Sequence, residues 1–178
     1  MTGLIEFDET SINHRTRSDP PAGGFGRSHQ GKLLIAGAVE IAGQGPGRIR
    51  LAHVRDYSAK SLHGFIATAA TPGAVAKTDG WSAYVGAPDV AHDPHVIGAM
   101  AAHVVLPWVH RVFSNLKTWA LGVYHGLRSK HLQSYLDEFV FRFNRRRTRH
   151  AAFKSLLGIA TRTKPITYKM LIAPERSG

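Results

Sequence analysis

The chain has 178 residues, 43% hydrophobic and 20% charged, enough to bury one core and with no apolar run of membrane-spanning length. It has no Cys, which excludes disulfides and cysteine-ligated zinc. Lys and Arg number 23 against 12 acidic residues, a formal net charge of +11. That excess favours a polyanionic partner, nucleic acid first, over a ribosomal-type structural role or a merely basic surface. The opening MTGLIEFDET lacks a signal-peptide pattern, so a cytoplasmic location is expected.

GLIEFDET reads as a strand ending near Asp8. The Pro-, Gly- and base-rich stretch after it, residues 10–32, is expected to be a flexible loop. LLIAGAVEI is a near-continuous apolar run, the pattern of a strand covered on both faces. GQGPG is a turn, and RIRLAHVRD alternates, with Ile49 and Leu51 on one side and Arg48 and Arg50 on the other. These three strands predict an antiparallel meander. Ser58 is placed to cap a helix whose inner face is Leu62, Phe65, Ile66 and Ala69. Pro72-Gly73 is a turn, AVAKT a short strand, and Asp79-Gly80 a sharp exit from it. Residues 86–103 are weakly patterned, with room for one short strand in HDPHVIG.

The C-terminal half reads as helical. Pro107 suits a first helical turn, and Val109, Val112, Phe113, Leu116, Trp119, Ala120 and Val123 form an apolar face ended by Gly126. Ser129 is expected to cap a second helix with the stripe Leu132, Tyr135, Leu136, Phe139 and Phe143. A basic run follows, Arg145 to Arg147 with Arg149 and His150, then an amphipathic piece, AAFKSLLGIA, and a frayed tail after about Ala173. The predicted class is α/β: a ribonuclease-H-like mixed sheet with a helical C-terminal half. Residues 1–150 are read as one domain and 151–178 as an extension.

Asp8 and Asp79 both fall where strands are expected to end, the usual place for sites in open α/β sheets. Two carboxylates brought together there need a cation between them, and hard oxygens suit Mg²⁺ or Mn²⁺. Each also has a plainer role: Asp8 turning the chain, Asp79 serving the Asp-Gly turn. His110 and Lys117 are seven apart on one predicted helix. At about 100° per residue they return to within about 20° of each other, at the rim of the apolar face. Singly, they read as a surface histidine and a lysine snorkelling over the core.

FDET, KTDGWSAY, HRVFSNLKTW and YLDEFVFRFNRR, in this order and spacing, resemble insertion-sequence transposases of the DDE superfamily. The resemblance is to the group with two Asp, then Asn, Glu or His, then Lys seven residues on, and covers about residues 3 to 147. It implies DNA transposition by metal-dependent strand cleavage and strand transfer, with transposon ends and target DNA as partners, and leaves room for a homo-oligomer. It further implies that Asp8, Asp79 and His110 hold Mg²⁺ or Mn²⁺, that Lys117 contacts a phosphate near the scissile bond, and that Arg145, Arg146 and Arg147 meet DNA backbone. The third position is His rather than a carboxylate, with Glu9 and Glu138 as candidate helpers. Relatives usually carry an N-terminal module that reads the element ends. Here Met1 stands five residues before Glu6, so an N-terminally truncated copy is expected. The competing expectation is an inactive remnant that binds DNA or another transposase chain.

Overall fold

The computed structural model describes residues 1–14, 29–96, 102–124 and 127–173. The apolar run expected to be covered on both faces organises the rest. It forms β2 (Lys32–Ala42), the second strand of a five-stranded sheet of order β3-β2-β1-β4-β5. Antiparallel neighbours flank it: β1 (Leu4–Asn13) and β3 (Gly45–His53). After α1 (Ala59–Ala69) crosses over, β4 (Ala74–Thr78) pairs parallel with β1, and β5 (Val90–Pro94) parallel with β4. The C-terminal half contributes α2 (Ala102–Val105), α3 (Pro107–Val123), α4 (Ser129–Asn144), α5 (Arg149–Ala160) and α6 (Tyr168–Ile172). This is the expected α/β mixed sheet with a helical C-terminal half, consistent with a ribonuclease-H-like fold.

Strand alternation sorts the core into two layers. Leu33, Ile35 and Val39 of β2 face α3 and α4, joining Ile49 and Leu51 of β3, Val109, Phe113 and Leu116 of α3, and Leu132, Leu136 and Phe139 of α4. Leu34, Ala36 and Ala38 face the other way, onto Leu62, Phe65, Ile66 and Ala69 of α1. Ser58 caps α1 as expected, its hydroxyl accepting from the Ser61 N–H.

Several boundaries differ from expectation. β1 does not end near Asp8 but runs to Asn13, because Glu9–Asn13 keeps pairing with Lys32–Ala36 of β2. The expected loop therefore loses Thr10–Asn13 and Lys32 to strands, and residues 15–28 lie outside the described residues. So do Gly126, expected to end α3, and the tail beyond Ala173. Val123 is 56% exposed rather than part of the apolar face. Ser129 is the first residue of α4 and Arg128 its cap position, with no capping side chain. The short strand expected within HDPHVIG begins earlier, at Val90, and ends at Pro94. α5 forms, but none of its residues is buried.

The seat of α3 against the sheet depends on one missing side chain. A Cβ at Gly37 would lie 2.5 Å from Cε1 and 2.6 Å from Cζ of the buried Phe113 ring, with Leu51 closing the side at 3.4 Å. Gly37 is the direct cross-strand partner of Asp8. Replacing it pushes α3 off the sheet where the helix approaches that aspartate. Gly37→Ala is expected to cost about 1–3 kcal/mol in denaturant unfolding, the usual range for overpacking; an unchanged midpoint would show that the ring has room to move.

Candidate functional site

Period-two alternation puts Glu6 and Asp8 on the face of β1 that looks at α3, and Glu9 on the other. Glu6 is 1% exposed. Its Oε2 accepts the backbone N–H of Trp108 at 2.9 Å and of Val109 at 2.8 Å, the second and third residues of α3. The first is Pro107, which has no N–H. A side chain from the sheet thus caps a helix whose own cap residue, Leu106, offers nothing. Burial raises the Glu6 pKa, and the two N–H donors and nearby Lys77 lower it against that.

With its first turn pinned, α3 brings His110 over β1. His110 Nε2 lies 3.4 Å from Asp8 Oδ2, a contact too long for a strong hydrogen bond. The Asp8 side chain is 12% exposed and that of His110 31%. Asp8 is pushed up to about 8, first by burial and then by the charge of Glu9, with Asp79 and Glu6 adding to it. Lys117, two turns further along α3, is exposed at the rim as expected. Desolvation lowers its pKa, and the Asp8 charge pulls the other way, so the two groups lie within electrostatic reach. Ser114, on the same side, is spent on the helix: its hydroxyl donates to His110 O at 3.0 Å.

Asp79 follows the last residue of β4. The β1–β4 ladder ends with Glu6 opposite Lys77, and Asp79, two residues further on, lies within electrostatic reach of Asp8. The site therefore lies where β4 stops and β1 continues, rather than where β1 ends. Asp79 also has the plainer role. Its Oδ1 accepts the Trp81 N–H at 2.9 Å, and Gly80 makes the turn with φ of +82°, where a Cβ would meet Val96 at 3.1 Å. Among the described residues Oδ2 takes no hydrogen bond. The turn is locked from the far layer: Tyr84, 2% exposed, donates its hydroxyl to Glu9 Oε2 at 2.5 Å. Glu9 is thus occupied on the opposite face. Glu138 accepts from Tyr124 Oη at 2.9 Å and pairs with Arg142 at 2.7 Å, so each candidate helper has a partner of its own.

Among the described residues no three His, Asp or Glu side chains stand close enough together to form a ready-made metal cage. The donor chemistry nonetheless fits a divalent cation. Asp8 is a buried carboxyl whose pKa is raised first by burial and then by the charges of three other acids, and among the described residues Asp79 retains an oxygen without a hydrogen bond. Bringing a cation there relieves the repulsion that holds the proton on.

The five-stranded mixed sheet with its helical C-terminal part is consistent with the resemblance to insertion-sequence transposases of the DDE superfamily. The chain belongs to that group: residues 1–144 match the ISXO2-like transposase domain family. No curated protein matches the sequence. The family serves DNA transposition, so DNA is the partner, and its members generally use a divalent metal. No helix among the described residues is long and apolar enough to cross a membrane.

Glu6 is the residue that sequence reasoning missed. The available signal was an acid two positions before Asp8, hence on the same face, inside the otherwise apolar run LIEF. Glu6→Ala leaves two buried N–H groups unsatisfied and is expected to cost about 3 kcal/mol by chemical denaturation. Glu6→Gln keeps an acceptor oxygen and drops a charge that burial disfavours, so it should stay within about 1 kcal/mol of the native protein. Equal losses for both would mean that the charge, not the acceptor, holds α3.

Asp8 makes a second prediction. Its folded pKa lies above its unfolded value of 3.8, so the folded protein holds the proton longer. Its contribution to stability is full below about pH 4 and is lost as pH rises toward about 8. In a chelating buffer, Asp8→Asn should therefore raise the melting temperature at pH 8 by on the order of 5 °C, about 2 kcal/mol for a chain of this size, and have little effect at pH 4. A uniform shift at both pH values would count against this account.

Proposed function

We propose that the chain cleaves DNA strands and joins the freed 3′ end to target DNA, using a divalent cation held by Asp8, Asp79 and His110. The observation that carries this reading is the approach of three elements to Asp8: His110 at 3.4 Å and Asp79 within electrostatic reach just past the end of the β1–β4 ladder. Asp8 and Asp79 supply hard oxygens and His110 a neutral nitrogen, a donor set compatible with Mg²⁺ or Mn²⁺. When bound, such an ion stabilises charge on the attacking and leaving oxygens of phosphoryl transfer.

The protein's own groups do the rest. Lys117, at the rim of the same helix face, meets a non-bridging phosphate oxygen as a point charge and sets the register of the strand. His110 is held by the helix, and the helix by Glu6, so the imidazole needs no reorganisation when the substrate arrives. Asp8 would hold a divalent cation in place of its proton, and its raised pKa limits the negative charge of the cluster before such an ion is bound. Arg145 and Arg147 extend a basic surface for the duplex; Arg146 is committed elsewhere in the fold.

The test is nicking of a supercoiled plasmid carrying the element ends, with Mg²⁺ or Mn²⁺. Asp8→Asn and Asp79→Asn should each lower the rate by at least about 10³-fold, about 4 kcal/mol of transition-state stabilisation. His110→Ala should lower it about 10- to 100-fold, the range for loss of a weaker metal-site group. Wild-type binding to the ends without any metal-dependent product would instead support the inactive, DNA-holding alternative. Nicking that survives both Asp substitutions would remove the assigned site altogether.

A further inference from the structure

Arginines gather at the outer edge of β3, and the structure divides them by use. Arg146 is consumed by the fold. Its Nη1 donates to Phe143 O at 2.8 Å, its Nη2 to Pro46 O at 2.5 Å, and its guanidinium lies 4.0 Å over the Phe143 ring. Two amides of α4 seal the same edge. Asn144 accepts the Ile49 N–H at 2.8 Å and donates to Ile49 O at 3.0 Å, while Gln133 accepts the His53 N–H at 2.9 Å. The edge of β3 is thereby closed to an added strand, which removes peptide augmentation as its purpose.

What stays open there is charge. Arg48 and Arg50 are exposed, two positions apart on one side of β3, hence about 6.6 Å from each other. That is about two 3.4 Å steps along a duplex. With Arg145, whose guanidinium lies 4.1 Å over the Phe141 ring, they line a groove of about 470 Å³ that also presents Thr148 and Ser155 and no acid. Among the described residues none of these three arginines forms an ion pair. A neighbouring groove of about 270 Å³ carries the basic surface on to Arg147. Its one acid, Glu40, is engaged by the Thr2 N–H at 3.1 Å. Three unpaired guanidinium groups around one hollow repel one another, and an anion seated among them turns that cost into binding.

We infer that this groove is a second DNA-contact surface, in which Arg48, Arg50 and Arg145 each bind a backbone phosphate of a duplex away from the Asp8 cluster. That the anion is DNA rests on the transposase reading above. β2 lies between β3 and β1, so the two surfaces engage different parts of the nucleic acid. The contacts are to phosphates, so they add affinity and hold orientation without reading sequence.

The experiment measures binding of the full chain to a 30-base-pair duplex of arbitrary sequence, in EDTA, across a salt series. Each phosphate contact contributes about 0.9 to the slope of log K against log salt, equivalent to about eightfold in affinity at 100 mM. Arg48→Ala/Arg50→Ala should weaken binding about 60-fold and flatten the slope by about 1.8. Adding Arg145→Ala should take a further factor of about eight. Arg162→Ala, an exposed arginine beyond α5, serves as the control. The inference falls if the double variant binds like the control, or weakens with no change of slope. Because the assay needs no chemistry, the two readings fail separately. Asp8-dependent nicking with groove-independent binding would sink only the groove, and groove-dependent binding without nicking would sink only the catalytic assignment.

Discussion

One buried carboxylate ties the sheet to the helix that carries His110 and Lys117. Glu6 reaches from β1 to the only two N–H groups that the first three residues of α3 possess, and in doing so sets the height and phase of the helix. Everything the helix presents follows from that anchor: His110 one residue past the capped turn, Lys117 two turns on, Phe113 pressed onto Gly37 between them. The anchor is electrostatically suited to its place, since a helix N-terminus carries partial positive charge. It is also expensive, because burial disfavours the ionised form, and Lys77 on the neighbouring strand offsets part of that. A hydrophobic contact could have held the helix as firmly. Only a directional one fixes its rotation, and rotation decides whether the imidazole faces Asp8.

The charge pattern of the molecule is uneven in a way that suits its partner. The chain is strongly basic, yet three of its 12 acids, Glu6, Asp8 and Glu9, sit in one stretch of β1, and Asp79 joins them from β4. Each is given separate work. Glu6 holds α3, Glu9 accepts from Tyr84 and so steadies the turn that carries Asp79, and Asp79 closes that turn with one oxygen. Asp8 is left with His110 as its neighbour and a raised pKa. Lys77 stands opposite Glu6 on β4, Lys117 lies at the rim of α3, and exposed arginines lie beyond β2 on the far edge.

Much of this was legible in the sequence, and the failures share a cause. The burial of β2 on both faces, the four-residue inner face of α1 and the stripe of α4 follow from apolar periodicity, which is local. Asp8, Asp79, His110 and Lys117 could be singled out from spacing and family resemblance. The end of β1 could not. Beyond Asp8 the chain turns polar, ETSIN, and reads as the start of a loop, but the backbone goes on pairing with β2. Tyr84 bonds the Glu9 side chain, and Tyr57 bonds the Thr10 carbonyl from more than 40 positions away. The arginine run was opaque for the same reason. Arg145, Arg146 and Arg147 look equivalent on paper, and only the position of the Pro46 and Gly47 carbonyls makes the middle one structural. Glu6 is the same lesson in reverse: an acid in an apolar strand announced a buried role without naming its partner.

The histidine at the third position makes sense in this crowd of acids. A carboxylate at position 110 would stand about as close to Asp8 as the imidazole does, and would be one more negative neighbour for a group already pushed up to about 8 by burial, Glu9, Asp79 and Glu6. Without a cation, that arrangement would hold its protons still more tightly or drive the helix away from the sheet. An imidazole adds no negative charge and still carries ring nitrogens. On the proposed metal-site reading, a histidine would give up charge attraction for the ion in return for a helix that rests against β1 without one. Glu6 tightens the same compromise from the other end. By fixing α3 to the strand, it holds position 110 within 3.4 Å of Asp8, where a side chain without negative charge costs least.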